Sequence, residues 1–334
     1  MYRHISSNYS IKLDNDLESI AKVDSGDTLE IETVNAYGEH FKDISELMNL
    51  INGKYGNKHH HPLTGPIEIN GAKPGDVLRV YISCIVIDLA AQALSKSAGI
   101  SPIDVHRFVD RAPILAHCDM LTDKIKLLNG MYLNYKPMLG IIGTAPENGE
   151  IKTGHAGRTG GNLDIPFITR GCYVYIPVEV EGAKLFLGDA HAAQGYGELG
   201  GVALEASAKV TIKVDLLKPR DVLRNIVVIG NEPMSDKKAI GVVGVGHNFE
   251  SLNEAVLDSY DGATHIMGNL FPTINTGYIK NLVTLVGHSM CGQAFSKTSE
   301  STCILNILEE DIQKLKKNTG FNILRDFEQV MFKQ

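Results

Sequence analysis

The sequence predicts a β-rich α+β protein, with many short strands in packed sheets and helices mainly in the C-terminal part. Apolar and polar residues alternate over many runs of five to ten positions, the period of a half-buried strand. The 33 glycines and 12 prolines cluster between those runs, where turns belong. Helical spacing of apolar residues becomes prominent only late in the chain.

Taken in order, Tyr9–Leu13 and Thr28–Val34 alternate and read as strands, and Ser45–Ile51 reads as a short helix stopped by Asn52-Gly53. Ile67–Ile69 and Val77–Ile87 alternate on either side of Lys73-Pro74-Gly75-Asp76, a turn signal. Residues 88–112 read as helical, with Ser101-Pro102 supplying an N-cap and a first-turn proline. Ile114–Tyr135 holds short strand-like runs around the hairpin signal Asn129-Gly130, and Gly140–Gly161 reads as loop-rich. Gly171–Lys213 contains two strand-like runs flanking a polar, glycine-rich loop. Asp221–Gly230 and Ala239–Val245 read as buried strands, Asn253–Tyr260 as a helix and Val283–Val286 as a strand. From Cys303 onward the pattern is helical, with Leu305, Leu308, Ile312 and Leu315 on one face and a break at Asn318-Thr319-Gly320. No repeat or linker interrupts the chain. It reads as a single unit over 1–334 and, if it divides at all, as a β-rich catalytic part (1–215) and an α+β part (216–334).

Composition excludes several classes of function. The 334 residues are 43% hydrophobic and 21% charged, ordinary values for a globular chain able to bury a large core. A formal charge of −7 argues against nucleic acid and against an anionic membrane surface as partners. No apolar run reaches the roughly 18 residues of a membrane span, and Met1–Ser7 leads into polar sequence without the apolar segment of a signal peptide. The five cysteines (Cys84, Cys118, Cys172, Cys291, Cys303) are odd in number and form no CxxC pair, which suits a reducing, cytoplasmic location.

The chemistry concentrates in two glycine-rich loops. If Gly188–His191 is extended, Asp189 and His191 point to one face, so a carboxylate and an imidazole can meet one metal ion. Gln194, Glu198 and Glu205 follow. The companion stretch Gly154–Asp164 adds His155, Asn162 and Asp164. One histidine with two or three carboxylates is a common catalytic zinc set, provided one coordination position stays open. On spacing alone the bland alternative, a polar loop with no ion, also stands.

Other motifs are weaker. The run His59-His60-His61 invites a metal reading, but adjacent side chains diverge, so a loop edge with at most one functional histidine is the better expectation. Gly287-His288-Ser289-Met290-Cys291 resembles a nucleophile elbow with cysteine where the second glycine belongs. His288 is the last of twelve histidines, so no base follows the serine. Gly195–Gly200 spells GxGxxG but precedes a strand-like run, and Glu198 would face a pyrophosphate. His117-Cys118-Asp119 is adjacent in sequence and cannot converge on a strand, so Cys118 reads as a buried or half-buried thiol.

The segment GDAHAAQGYGELGGVALEA (188–206) resembles the signature of the acetamidase/formamidase family. Gly160-Gly161-Asn162-Leu163-Asp164 resembles that family's GGN-x-D segment, and Gly140–Pro146 the stretch preceding it. His61-Pro62-Leu63-Thr64-Gly65-Pro66-Ile67, followed by Gly71–Asp76, resembles its first hallmark. The likeness runs in order over about residues 10–245. Glu32-Thr33-Val34-Asn35 stands where the family usually has Glu-Thr-x-Asp, and the pattern departs after about residue 250. The resemblance implies a β-rich fold, a homodimer, hydrolysis of a small aliphatic amide to carboxylate and ammonia, and a divalent metal, zinc or else calcium. Carried onto this chain, it makes His191, Asp189 and Asp164 the expected metal ligands. Glu198 and Glu205 are the expected proton carriers, with Asn162 and Gln194 orienting the amide. The competing expectation is a non-catalytic member with a structural calcium or zinc site.

Overall fold

The computed structural model describes residues 1–6, 9–38, 41–51, 61–92, 113–247, 251–294 and 300–333. Two large sheets face one another across the main core. The first has nine strands in the order Tyr2–Ile5, Thr28–Thr33, Ala208–Leu217, Val77–Val86, Tyr173–Pro177, Val227–Glu232, Lys237–Gly246, Ser301–Leu308 and His288–Cys291. The second has twelve and is built around Leu185–His191, which pairs with Met138–Thr144 on one side and with Leu63–Ile69 and Glu205–Ala206 on the other. The nine-stranded sheet draws strands from both sides of residue 215.

Strand alternation explains the layering. Leu29, Ile31, Val80, Ile82, Val210 and Ile212 point inward and meet Leu139, Ile142, Leu187 and Ala190 of the opposite sheet. In Val227–Glu232, Val228 joins that core, whereas its neighbours Val227 and Ile229 face the other way. That outer face is covered by the helices Ser251–Leu270, Thr276–Val286, Glu309–Lys316 and Ile323–Met331. Strands under the helices are therefore apolar on both faces, while Thr28–Thr33 is buried only at alternate positions.

Phe327 anchors the helical layer. It is fully buried, edge-on to Tyr175 at 5.1 Å and to Phe332 at 5.8 Å between ring centroids. Phe327→Ala is expected to lower unfolding stability by about 3–5 kcal/mol, the usual cost of emptying a buried aromatic site. Denaturant titration followed by circular dichroism would measure it.

Four expectations need correcting. Residues 89–92 form the strand Leu89–Gln92 rather than the start of a helix, because Ala90 and Ala91 pair with Ala206 and Glu205; the remainder of the expected helix, 93–112, lies outside the described residues. Gly140–Gly161 is not mainly loop: Met138–Thr144 is a wholly buried strand, followed by Glu150–Lys152, Ala156–Gly157 and Gly160–Asn162. Its glycines allow close approach rather than turning, since a Cβ on Gly160 would lie 2.2 Å from the Ile142 carbonyl oxygen. Val283–Val286 ends the helix Thr276–Val286, whose N-cap Asn275 accepts from the Tyr278 amide and whose Ile279, Leu282, Val283 and Val286 pack on the outer core. Finally, Ser301–Leu308 is a strand, and the C-terminal helices begin only at Glu309. Among the described residues, no helix is long and apolar enough to cross a membrane.

Candidate metal and catalytic centre

The central strand Leu185–His191 carries two of the site's side chains. Asp189 has φ 54°, a left-handed conformation within the strand that aspartate tolerates better than most residues. Its side chain and that of His191 lie on the same side. Gly140 on the neighbouring strand accepts, at its carbonyl, the amides of Leu163 (2.9 Å) and Asp164 (3.1 Å), which brings Asp164 beside them. Glu205 pairs directly across from His191. His61 enters just before Leu63–Ile69, whose Leu63 lies opposite Gly188.

These groups converge. One ligand atom each from Asp164, Asp189 and His191 lies within 4.8 Å of the others, a grouping found among the described residues. His191 Nε2 is 3.5 Å from Asp189 Oδ1 and 3.2 Å from Glu205 Oε2, and His61 Nδ1 is 3.0 Å from Asp189 Oδ1. The side chains of Asp164, Asp189, His191 and Glu205 are only 2%, 1%, 1% and 4% exposed, while His61 is half-buried at the edge. Asp164 Oδ1, Asp189 Oδ1, Glu205 Oε2, His191 Nε2 and His61 Nδ1 are buried atoms without a hydrogen-bond partner among the described residues. Five such atoms in one place are costly unless something else binds them.

The tautomer of His191 sharpens this. Gln194 Nε2 donates to the Asp164 carbonyl at 2.7 Å, which turns Gln194 Oε1 toward His191 Nδ1, also at 2.7 Å. Nδ1 therefore donates, and Nε2 of the neutral ring presents a lone pair to two carboxylates. Either a second proton or a cation belongs there. Burial lowers the His191 pKa, but Glu205 and Asp189 outweigh it and hold it well above the ordinary value. Burial likewise opposes ionisation of Asp189, yet the charges of His61 and His191 keep its carboxyl well below the usual range. Burial and then the Asp189 charge push Asp164 up to about 7. The donor set, one or two imidazoles among carboxylates, is one that can hold a divalent cation.

The other sequence candidates fall into place around this cluster. Glu198 is buried on the loop after His191, with φ 40°, and Gln293 Nε2 reaches its Oε2 at 3.4 Å. Burial and then the Asp164 charge hold its pKa well above normal. Gln194 has both ends of its amide engaged on the protein, Oε1 at His191 Nδ1 and Nε2 at the Asp164 carbonyl. Asn162 is buried opposite Ile141, and its Oδ1 has no hydrogen-bond partner among the described residues. His155 pairs instead with Glu300 at 2.8 Å, and Asn35 accepts from the Tyr37 amide and donates to Ser207 Oγ. Ser289 lies exposed on the edge strand, and no helix follows the GxGxxG run among the described residues. Burial and then the Asp88 charge push the Cys118 thiol up to about 12.

Three participants were not assigned from sequence. His61 was hidden in a run of three histidines, and its signal is the adjoining HPLTGP motif. Gln293 had no signal. Gly140 is required by space: a Cβ there would lie 2.6 Å from Asp164 Oδ1 and 2.7 Å from Asp189 Oδ2. Gly140→Ala is expected to displace both carboxylates and the Asp189 backbone, whose carbonyl oxygen would lie 2.9 Å from the added Cβ, and so to weaken retention of a divalent cation. Metal analysis after dialysis, beside a circular-dichroism spectrum, checks this.

The chain is 27% identical over 264 residues to a formamidase-named protein of Schizosaccharomyces pombe, an alignment spanning 61% of this chain and 62% of that one. It is 47% identical over 60 residues to an acetamidase of Mycolicibacterium smegmatis, spanning 18% and 15%. The chain thus matches less than two thirds of the length of these relatives. Among solved structures, an acetamidase from Bacillus halodurans superposes with a TM-score of 0.80 at 25% identity, covering 93% of this chain and 99% of that one. An acetamidase/formamidase from Thermoanaerobacter tengcongensis gives 0.77 at 28%, covering 94% and 98%. With the family model matching residues 6–156 and 149–278, a span that includes all five clustered side chains, the chain belongs to the acetamidase/formamidase family.

Proposed function

We propose that this protein hydrolyses a small linear amide to a carboxylate and ammonia, using a divalent cation, zinc by preference, held by His191, Asp189 and Asp164. The observation that carries the reading is the convergence of buried, unsatisfied ligand atoms on the open side of His191. When bound, such an ion supplies Lewis acidity toward a carbonyl oxygen and lowers the pKa of water toward about 7.

The protein's own groups do the remainder. Gln194 fixes the ring of His191 through Nδ1. Glu205 has one oxygen on the Ala203 amide and the other against His191 Nε2, so it joins the ion-holding cluster rather than carrying protons. Glu198 stands outside the cluster and is held by Gln293 alone among the described contacts that its side chain accepts. It takes the proton of the attacking water and returns it to the departing nitrogen, a step an amide needs because unprotonated ammonia leaves poorly. Asn162 Oδ1 is a further acceptor for the substrate's N–H groups. The reading includes a homodimer, as the family resemblance implies, and a cytoplasmic location, which five free cysteines favour.

A structural calcium site is the rival, and the imidazole among the ligands counts against it. The test is ammonia release from formamide and acetamide before chelation, after it and after zinc is restored. Activity is expected to fall at least about 100-fold on chelation and to return. Full activity in the metal-free protein would remove the ion from the reaction; no activity on any short amide with metal bound would overturn the amidase reading.

A further inference from the structure

Cys291 and Cys303 lie directly opposite each other on the neighbouring strands His288–Cys291 and Ser301–Leu308. The hydrogen bonding on either side fixes the kind of pair. The Gly292 amide donates to the Thr302 carbonyl at 2.9 Å and the Thr302 amide donates to the Gln293 carbonyl at 3.2 Å, so 292 and 293 together form a bulged hydrogen-bonded position opposite 302, and the adjoining pair, 291 with 303, is of the non-hydrogen-bonded kind. The carbonyl of Cys291 confirms this by pointing away from Cys303, where it accepts from the Gly197 amide at 2.7 Å. Opposed residues in such a pair have Cα atoms about 4.5 Å apart and side chains on the same face, within the span a disulfide bridges. Both cysteines are free, Cys291 half-buried on the edge strand and Cys303 buried behind it.

We propose that Cys291 and Cys303 are a reversible oxidation site that closes to a disulfide under hydrogen peroxide. The half-buried Cys291 sulfur attacks the peroxide, displacing water and becoming a sulfenic acid. The Cys303 sulfur then displaces hydroxide from it, and the two thiol protons leave with the two oxygens as water. Two thiols and one peroxide give one disulfide and two waters, the thiols losing the two electrons that the peroxide gains. The chain places this pair at the foot of the catalytic loop. Beyond the Cys291–Gly197 bond, the Gly292 carbonyl lies 3.5 Å from Gln194 Nε2 and the Gln293 side chain reaches Glu198. Tying Cys291 to Cys303 therefore braces the backbone on which the Glu198 loop rests.

The test does not depend on the amidase reading. Reduced protein is treated with hydrogen peroxide, remaining thiols are capped with N-ethylmaleimide, and intact mass and tryptic peptides are read. Relative to reduced protein capped in the same way, the expected product lacks two N-ethylmaleimide groups, and its mass is about 2 Da below that of the reduced chain plus the caps it does carry; it reverts with dithiothreitol and yields a linked pair of peptides, because cleavage after Lys297 separates the two cysteines. Cys291→Ser and Cys303→Ser should each abolish that product. Hydrogen exchange at the Gly197 amide should slow several-fold in the oxidised wild type, because its acceptor is then held. A linked peptide containing Cys84 and Cys118 instead, stable oxygen addition at Cys291 with no loss of 2 Da, or persistence of the lighter species in Cys291→Ser would overturn the site. Unchanged exchange at Gly197 in the disulfide form would overturn its connection to the loop.

Discussion

Asp189→Asn is expected to fold, to lose zinc on dialysis and to release ammonia from short amides at less than about one hundredth of the wild-type rate. Removing even an outer-shell partner of a metal ligand costs about 10–100-fold in affinity, and Asp189 stands at the centre of the cluster. Its Oδ1 is 3.0 Å from His61 Nδ1 and 3.5 Å from His191 Nε2. Asparagine preserves shape and tolerates the left-handed backbone that Asp189 adopts, so the substitution removes charge without opening a cavity. His191→Ala should give the same loss of metal with a greater loss of stability. It takes away the one imidazole facing both Asp189 and Glu205, and an uncompensated buried charge costs about 3–5 kcal/mol. Metal content by plasma mass spectrometry, zinc affinity by competition with a chromophoric chelator, and turnover should be measured on the same preparations. Folded variants of both kinds that keep stoichiometric zinc and normal turnover would show that this cluster is not the centre of the reaction.

Part of the buried cluster is legible in the sequence for a specific reason. Asp189 and His191 sit two apart on a strand, and alternation puts them on one face whatever the surrounding fold, even though the left-handed turn at Asp189 was invisible. Asp164 and Glu205 are candidates in the sequence only as acids of glycine-rich loops; nothing in their own neighbourhoods says that the amide of one bonds to Gly140 and the other lies across from His191. His61 shows the opposite case. Three consecutive histidines carry no directional information, and selecting the third required knowing that Leu63 pairs with Gly188. The errors in secondary structure share one cause. Short apolar runs such as Val283–Val286 and Cys303–Leu308 satisfy strand and helix patterns equally, and what decided them lay outside the run: an Asn275 cap for the first, sheet pairing with Lys237–Gly246 for the second. Glycine misled in the same way at Gly140–Gly161, where it marks strands packed too closely for a Cβ.

Glu198→Gln is expected to lower kcat by about 10²–10⁴-fold while leaving zinc content and KM near their wild-type values. The expectation rests on the difference between the two glutamates. Glu205 touches His191 at 3.2 Å, so Glu205→Gln should act through the ion and reduce metal retention together with rate. Among the described residues, the Glu198 carboxyl receives the Gln293 amide and lies in the field of Asp164. Glutamine at 198 can still accept from Gln293 through its oxygen, so the loop should keep its shape while losing the group that accepts and returns a proton. The two variants therefore separate on a pair of measurements made side by side, metal per chain and kcat. A metal-loaded Glu198→Gln enzyme at full rate, beside a metal-loaded Glu205→Gln enzyme that is inactive, would reverse the assignment and make Glu205 the proton carrier. Loss of metal in Glu198→Gln would instead place Glu198 among the ligands and leave the proton transfer to another group.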